Sequence, residues 1–268
     1  MGLLDGRVVI VTGGGRGLGR AHCLELAAAG ATVVVNDLGV GVRGEAGEDE
    51  RPPAELVVEE IEAGGGTACA DLTSVADWDG MEALVARTVD TYGALHAVVN
   101  NAGMLRDRML TSLTEDDFDA VIGVHLKGTF GLTRHACAHW RELAKAGEAV
   151  SGRVVTTTSG AGLWGNVGQT NYGAAKAAIA MFTKTVALEM ERYGVTANSL
   201  SPIAATRMTM STPLLAAARD GGDGVEAGWD PLDPANASPV VAWLCSEFAG
   251  YMTGQSIVID GGATRSTF

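Results

Sequence analysis

The chain has 268 residues and a formal net charge of −13, which argues against a nucleic-acid-binding protein, because phosphate binding needs clustered Lys and Arg. The length suits one core, and no proline-rich or low-complexity linker divides it, so we expect a single domain over residues 1–268. No apolar segment reaches the roughly 18 residues that cross a bilayer, and the start lacks signal-peptide features, so the prediction is a cytoplasmic protein without membrane partners.

Short β-branched segments alternate with longer helical patterns. Several of the strand segments are apolar throughout, which is typical of a sheet covered on both faces. The strict alternation implies right-handed parallel crossovers. The predicted fold class is therefore α/β, a single-domain Rossmann-type doubly wound parallel sheet of about seven strands with helices on both faces. The predicted strands are 7–12, 31–37, 66–71, 95–103, 152–159, 195–202 and 255–260.

A glycine-rich turn, TGGGRGLG at 12–19, follows the first strand directly. Gly13, Gly17 and Gly19 have the spacing that allows a tight turn and close approach of a pyrophosphate to a helix N-terminus. The position between the first strand and the first helix is what makes this pattern specific. We therefore expect a dinucleotide cofactor.

The second strand ends at Asp37, whose carboxylate could accept hydrogen bonds from ribose hydroxyls and would repel a 2′-phosphate. This favours NAD. Arg16 in the glycine turn could instead pair with that phosphate, so NADP stays an alternative. Two irregular segments follow along the chain, a long loop at 38–53 and a Gly- and Pro-punctuated stretch at 204–236 where a substrate lid is expected.

Tyr172 and Lys176 are spaced by four residues at the start of an apolar helix, so their side chains leave the same helix face. An adjacent cation favours the charged form of a phenol and lowers its pKa toward the working range. Such a tyrosine could donate or accept a proton at an alcohol or carbonyl oxygen. Chance pairing of a packed Tyr and a snorkelling Lys is the alternative interpretation.

The motifs together resemble the short-chain dehydrogenase/reductase family. They are the turn at 12–19, NNAG at 100–103, Ser159 at the end of the fifth strand, about a dozen residues before the tyrosine, and the Tyr172–Lys176 pair. The resemblance implies that Tyr172 is the general acid/base, that Lys176 holds the nicotinamide ribose and that Ser159 binds the reacting oxygen. It also implies cofactor contacts from Thr12, Gly13, Arg16, Gly17, Leu18, Gly19, Asp37, Asp71, Leu72, Asn101, Ala102, Gly103, Tyr172, Lys176, Pro202, Ile203 and Thr206.

His125 departs from the family pattern, because an asparagine is usual at its position in HLKGTF. The histidine could titrate in a proton relay or could simply pack. Together with GNVGQTNYGAAK and SPIAATRMT, it gives a resemblance to the (3R)-hydroxyacyl-CoA dehydrogenase part of peroxisomal multifunctional enzyme type 2. That branch implies NAD and 3-hydroxyacyl-CoA or 17β-hydroxysteroid substrates. Ile203, where a glycine is usual, is expected to narrow the pocket near the nicotinamide.

A coenzyme A thioester would need local cations in this acidic chain. The candidates are Arg43, Arg51, Arg106, Arg108, Lys127 and Arg207. Two alternative functions stay open, an NADP-dependent 3-oxoacyl or carbonyl reductase and a non-catalytic dinucleotide-binding regulator. The resemblance also implies a homodimer or homotetramer, with the helix at 114–142 and the tyrosine helix as contact surfaces.

No metal is expected. His135 and His139 are four residues apart, a spacing that can bind a metal, but no carboxylate completes the signature and surface or interface positions are favoured. The four cysteines lack a C-x-x-C pair, which indicates reduced thiols.

Overall fold

The computed structural model describes residues 2–45, 51–204 and 229–267. Its eight strands are β1 (Val8–Thr12), β2 (Thr32–Asn36), β3 (Thr67–Asp71), β4 (Ala97–Asn100), β5 (Gly152–Thr157), β6 (Val195–Ile203), β7 (Ser256–Asp260) and β8 (Ala263–Ser266). Its helices are α1 (Gly17–Ala28), α2 (Pro53–Ala63), α3 (Trp78–Tyr92), α4 (Glu115–Ile122), α5 (Gly128–Lys145), α6 (Gly160–Trp164), α7 (Thr170–Met190) and α8 (Ser238–Cys245).

The strands form one sheet in the order β3-β2-β1-β4-β5-β6-β7-β8. All neighbouring pairs are parallel except the last, in which β8 runs antiparallel to β7. The doubly wound α/β prediction is confirmed, with eight strands instead of about seven. The additional strand is short and exposed along its whole length, and it exists because the chain turns back at Gly261 to pair with β7.

Side-chain alternation along the strands separates two hydrophobic cores. Val9 and Val11 of β1 belong to the core between the sheet and helices α1, α2 and α8. Ile10 belongs to the core on the other face, between the sheet and helices α3, α5 and α7. Covering both faces explains why the central positions of β1 and β2 are all apolar. Within the second core Trp140 is 1% exposed, and its indole nitrogen donates to the carbonyl of Leu95 at 2.6 Å.

Local signals account for several helix boundaries. Asp77 caps α3 by accepting from the amide of Gly80, and Gly93 ends that helix in the left-handed region at φ 76°. Thr114 and Asp117 form a capping box at the start of α4. The segment predicted as one long helix from residue 114 is continuous, but it contains a π-helical turn, Gly123–Lys127, between α4 and α5. Such turns occur often at functional sites.

No helix in the described parts of the chain combines the length and apolarity that a membrane crossing requires. The four cysteines are unpaired, and three of them are buried.

Candidate active site

A cleft of about 610 Å³ lies at the carboxyl ends of the parallel strands. The neighbours β1 and β4 continue into helices on opposite faces of the sheet, so the turns that follow them diverge and leave a crevice. Most of the predicted site residues line this cleft. They are Gly13, Arg16, Gly17, Leu18, Asp37, Asn101, Ala102, Gly103, His125, Ser159, Tyr172, Lys176 and Pro202.

The glycine turn needs its glycines for conformation and for space. Gly13 and Gly17 have φ values of 63° and 52°, in the left-handed region that side chains rarely adopt. A Cβ on Gly19 would lie 1.9 Å from the carbonyl oxygen of Gly13, a backbone atom that also accepts from the Asn101 side chain. The turn therefore presents the amino end of α1 to the cleft, where a helix attracts phosphate.

Asp37 is held firmly at the end of β2. Its Oδ2 accepts from the amide of Gly15 at 2.9 Å, and its Oδ1 accepts from the amide of Gly39 at 2.8 Å. Arg16 extends in another direction and donates through Nη1 to the carbonyl of Val40 at 3.2 Å. The cleft thus has a fixed carboxylate beside the glycine turn and a guanidinium directed to the loop after β2.

Thr12 connects the glycine turn to the NNAG turn. Its Oγ1 accepts from the amides of Asn101 and Ala102, both at 3.1 Å. The Asn101 side chain donates back to the carbonyls of Thr12 and Gly13 at 3.3 and 3.2 Å. These bonds hold the two turns, both of which line the cleft, in one arrangement.

Ser159, Tyr172 and Lys176 converge at the floor of the cleft. The Ser159 hydroxyl caps α6 by accepting from the amide of Ala161 at 3.3 Å and also hydrogen-bonds the Tyr172 side chain. Lys176 Nζ donates to the carbonyl of Thr157 at 2.6 Å and lies 5.6 Å from the centroid of the Tyr172 ring. The four-residue spacing thus places phenol and ammonium on one helix face, as the sequence predicts.

Burial dominates the proton affinities of this pair. It raises the pKa of Tyr172 to about 12, although the hydrogen bond with Ser159 acts in the opposite direction. Burial also lowers the pKa of Lys176 to about 7. The sequence-based argument, in which the lysine alone lowers the tyrosine pKa, therefore omitted the larger effect. At neutral pH Tyr172 is a protonated phenol, the form that donates a proton to a carbonyl oxygen.

His125 is a buried, uncharged neighbour of the tyrosine. Its Nε2 lies 3.0 Å from the amide nitrogen and 2.8 Å from the carbonyl oxygen of Met104, and its ring meets Tyr172 edge-on at 5.2 Å. Burial and the charge of Lys176 lower the pKa of His125 to about 3. A Cβ on Gly103 would lie 2.3 Å from this ring, so the glycine of NNAG makes room for the histidine. This geometry supports packing over titration.

The buried histidines should make the protein acid-sensitive. His125 and His22 have folded-state pKa values of about 3 and about 4, below their usual 6.5. The unfolded chain therefore binds protons first, and stability is lost as pH falls from about 6.5 toward these values. Urea unfolding should show a decrease of about 2 kcal/mol per histidine between pH 7 and pH 5.

His125→Gln should remove one histidine's share of this decrease, because the amide does not titrate. Comparing the unfolding free energies of wild type and variant at both pH values measures that share directly. An identical pH 7 to pH 5 loss in the two proteins would contradict the assignment of His125 as a buried neutral group.

Several predicted cofactor residues lie outside the cleft wall. The Asp71 carboxylate accepts from the Asn36 side chain and the Thr73 amide, each at 2.9 Å, and pairs with Arg87. Leu72 is 44% exposed, and Ile203 at the end of β6 is 37% exposed. The cofactor contacts of these residues stay predictions. Thr206, Arg207 and residues 205–228 of the expected lid lie outside the described residues.

Two cleft segments contribute lining residues that the sequence did not predict. Residues 73–76 after β3 and the loop after β2 both line the cleft. The loop after β2 reaches across the cleft, because the Leu105 amide donates to the Val42 carbonyl at 2.9 Å and Val42 packs in the cluster that contains Tyr172. Neither segment has a periodicity or motif that could have indicated this position.

The donor set fits a dinucleotide. The glycine turn at the amino end of α1 could bind a pyrophosphate, and the Asp37 carboxylate could accept hydrogen bonds from ribose hydroxyls. The Tyr172–Lys176 pair lines the same cleft. In the described part of the chain, no group of three or more His, Cys, Asp or Glu side chains could hold a metal. His135 is buried, not at the surface, and packs on Trp78 with a centroid distance of 4.5 Å.

Comparisons with known proteins identify the family of this chain. A family model described as short chain dehydrogenase matches residues 7–214. The chain is 45% identical to hydroxyacyl-CoA dehydrogenase ChsB1 of Mycobacterium tuberculosis, over 96% of this chain and 78% of that protein. It is 42% identical to peroxisomal multifunctional enzyme type 2 of Mus musculus over 91% of this chain, and it spans 30% of that longer protein.

The crystal structure of a short chain dehydrogenase from Mycobacterium avium matches with a TM-score of 0.87 and 51% identity, covering 100% of this chain and 87% of the other. These similarities confirm the resemblance inferred from the motifs. The chain belongs to the short-chain dehydrogenase family.

Proposed function

We propose that this chain is an NAD-dependent oxidoreductase that interconverts a secondary alcohol and a ketone, acting in lipid metabolism on 3-hydroxyacyl-CoA or a related lipid or steroid alcohol. The convergence of Ser159, Tyr172 and Lys176 in one cleft carries the proposal. A dinucleotide-binding regulator would need the glycine turn but not these three side chains, which is why turnover is favoured.

Each side chain has a separate task. Tyr172 passes a proton to the carbonyl oxygen in reduction and removes it from the hydroxyl in oxidation. Ser159 hydrogen-bonds the same oxygen, and Lys176 binds ribose hydroxyls with its buried amine. When bound, the nicotinamide would supply the two-electron redox chemistry and, in its oxidised form, a positive charge that favours the phenolate. His125 holds the segment after NNAG through Met104 and stays neutral.

The choice of NAD rests on Asp37. Two backbone amides fix its carboxylate, so it cannot easily turn away from a 2′-phosphate. Arg16 supports the second candidate, an NADP-dependent 3-oxoacyl or carbonyl reductase, because a guanidinium lines the same part of the cleft. Its contact with the Val40 carbonyl directs it to the loop after β2, and we therefore favour NAD.

A coenzyme A substrate is favoured by the relatives' names and by local cations. Hydroxyacyl-CoA dehydrogenase ChsB1 is 45% identical to this chain. Arg106 lines the cleft, and Arg43 is close enough to influence the Asp107 carboxylate on the neighbouring segment. Arg108 is partly neutralised by Asp117 at 2.8 Å. These cations would receive the phosphates of the thioester.

Two other candidates for that basic site are less suitable. Arg51 forms a salt bridge with Glu59 of α2 at 2.6 Å, and Lys127 is the last residue of the π-helical turn.

A homo-oligomer is also part of the proposal, since α5 and α7 present exposed apolar side chains. Phe130 is 41% exposed, Met181 58% and Leu188 74%.

The test is NADH formation with a panel of (3R)-hydroxyacyl-CoA thioesters, 17β-estradiol and simple secondary alcohols, run with NAD and then NADP. We expect turnover on the thioesters with NAD. Activity only on another alcohol would discard the substrate and keep the mechanism. Tight NAD binding without turnover on any compound would support the regulator.

A further inference from the structure

One buried amide side chain holds the tyrosine helix at its start. Asn171, the residue before Tyr172, is fully buried. Its Nδ2 donates to the carbonyl of Arg106 at 3.1 Å and to the carbonyl of Asp117 at 3.2 Å. Arg106 belongs to the segment after NNAG, and Asp117 belongs to α4. A single side chain therefore joins three parts of the chain directly beside the proposed acid and base.

The oxygen of the same amide serves the helix itself. The first amides of a helix have no partner within it, and Gln169 before α7 provides no side-chain cap. The Tyr172 amide instead donates to Oδ1 of Asn171 at 2.8 Å. Both donors and the oxygen of this side chain are thus used. The partners also fix its orientation, since a carbonyl can only accept and a backbone amide can only donate.

Two further contacts join the segment after NNAG to the residues that precede α7. The amide of Arg108 donates to the Gly168 carbonyl at 2.9 Å, and the Gln169 side chain donates to Oδ2 of Asp107 at 2.8 Å. Both contacts lie before the helix begins. Asn171 makes the corresponding contact inside the first turn, next to the tyrosine.

The lysine of the catalytic pair has separate anchors. The Thr158 hydroxyl donates to the carbonyl of Lys176 at 2.7 Å, and Lys176 Nζ donates to the carbonyl of Thr157 at 2.6 Å. These threonines are the last residue of β5 and the residue after it. Lys176 is thus fixed to the sheet, whereas Tyr172 is fixed through its neighbour to α4. A change at Asn171 should disturb the tyrosine and leave the lysine in place.

We infer that Asn171 is a positioning residue that sets the place of the Tyr172 hydroxyl beside Ser159 and thereby the rate of proton transfer. This inference rests on the proposed role of Tyr172 as acid and base. A phenol transfers a proton only within hydrogen-bond reach of the reacting oxygen. A misplacement of about 1 Å can therefore lower the rate by about 10²-fold.

The experiment compares Asn171→Ala with Asn198→Ala. Asn198 on β6 is a matched control, because it is 1% exposed and lies outside the cleft lining. Its side chain also holds two distant backbone groups, the Met252 carbonyl at 2.9 Å and the Gln255 amide at 3.1 Å. Turnover in alcohol oxidation with NAD is expressed per NADH-binding site, so that unfolded protein is not counted.

In Asn171→Ala, kcat per site should fall roughly 10- to 100-fold, while the Kd of NADH stays near the wild-type value. The solvent deuterium isotope effect on kcat should increase, because proton transfer by a misplaced phenol becomes slow relative to the other steps. Asn198→Ala should change neither quantity. A merely structural role would lower the yield of folded protein in both variants and move the isotope effect in neither.

Equal kcat values per site in the two variants, or an unchanged isotope effect in Asn171→Ala, would overturn the inference. Asn171→Asp decides the question if Asn171→Ala does not fold. The aspartate has the same size and leaves no cavity, but its carboxylate can donate to neither carbonyl. We expect the same loss of kcat per site, and wild-type turnover in this variant would reject the inference.

Crystal structures of the NADH complexes give a measurement that needs no substrate. The Tyr172 hydroxyl should lie about 1 Å or more from its wild-type position in Asn171→Ala and should be unmoved in Asn198→Ala. This displacement, with no turnover of any alcohol by the wild type, would keep the inference and reject the proposed function. An unmoved hydroxyl in Asn171→Ala would reject the inference, whichever alcohol the wild type oxidises.

Discussion

Tyr172→Phe should reduce kcat by a factor on the order of 10² to 10⁴, because it removes the only proton donor and acceptor of the proposed mechanism at the reacting oxygen. The ring itself would stay, with its edge contact to His125 at 5.2 Å and its position beside Lys176. NADH binding, followed by fluorescence titration, should therefore stay near the wild-type value. Steady-state turnover with the best alcohol of the panel measures kcat.

Tyr251→Phe is the matched control. It removes the same hydroxyl from a side chain that is 79% exposed and packs on Trp243, away from the cleft lining. Its turnover should equal that of wild type. A Tyr172→Phe protein that keeps more than a tenth of wild-type turnover would remove the tyrosine from the mechanism.

The parts of the site that sequence could predict are those whose geometry is local. Tyr172 and Lys176 share a helix face because of their spacing, and the glycine turn follows from residues that tolerate positive φ and close backbone approach. The central strands could be predicted because their apolar segments reflect burial on both faces of the sheet.

The parts that escaped prediction depend on distant partners. Burial and the charge of Lys176, which is remote along the chain, keep His125 neutral, so the spacing of the histidine carried no signal. The pairing of Asp71, a predicted cofactor contact, with Arg87 from α3 could not be predicted either. The four exposed residues of β8 have no apolar alternation, and only their pairing with β7 makes them a strand.

The surroundings of Asp107 are a third example. In the sequence Asp107 is one acidic residue among several after NNAG, and only the fold places Gln169 and Arg43 around it. Motif residues could therefore be placed in one cleft from the sequence, whereas contacts between distant segments required the structure.

Asp37→Ala should decrease the preference for NAD over NADP, expressed as the ratio of kcat/KM values, by roughly 10- to 100-fold, about 1 to 3 kcal/mol. Two effects contribute. The carboxylate that would accept from ribose hydroxyls is lost, which weakens NAD binding, and the negative charge that would repel a 2′-phosphate is removed, which strengthens NADP binding.

The substitution also removes the acceptor for the amides of Gly15 and Gly39, at 2.9 and 2.8 Å, and so could loosen the glycine turn. Asp37→Asn separates the two effects, because its side-chain oxygen still accepts from one amide while the charge is gone. If charge governs the choice, Asp37→Asn should shift the NAD/NADP ratio nearly as far as Asp37→Ala while binding NAD more tightly. An unchanged ratio in both variants would assign cofactor choice to Arg16, and Arg16→Gln should then weaken NADP selectively.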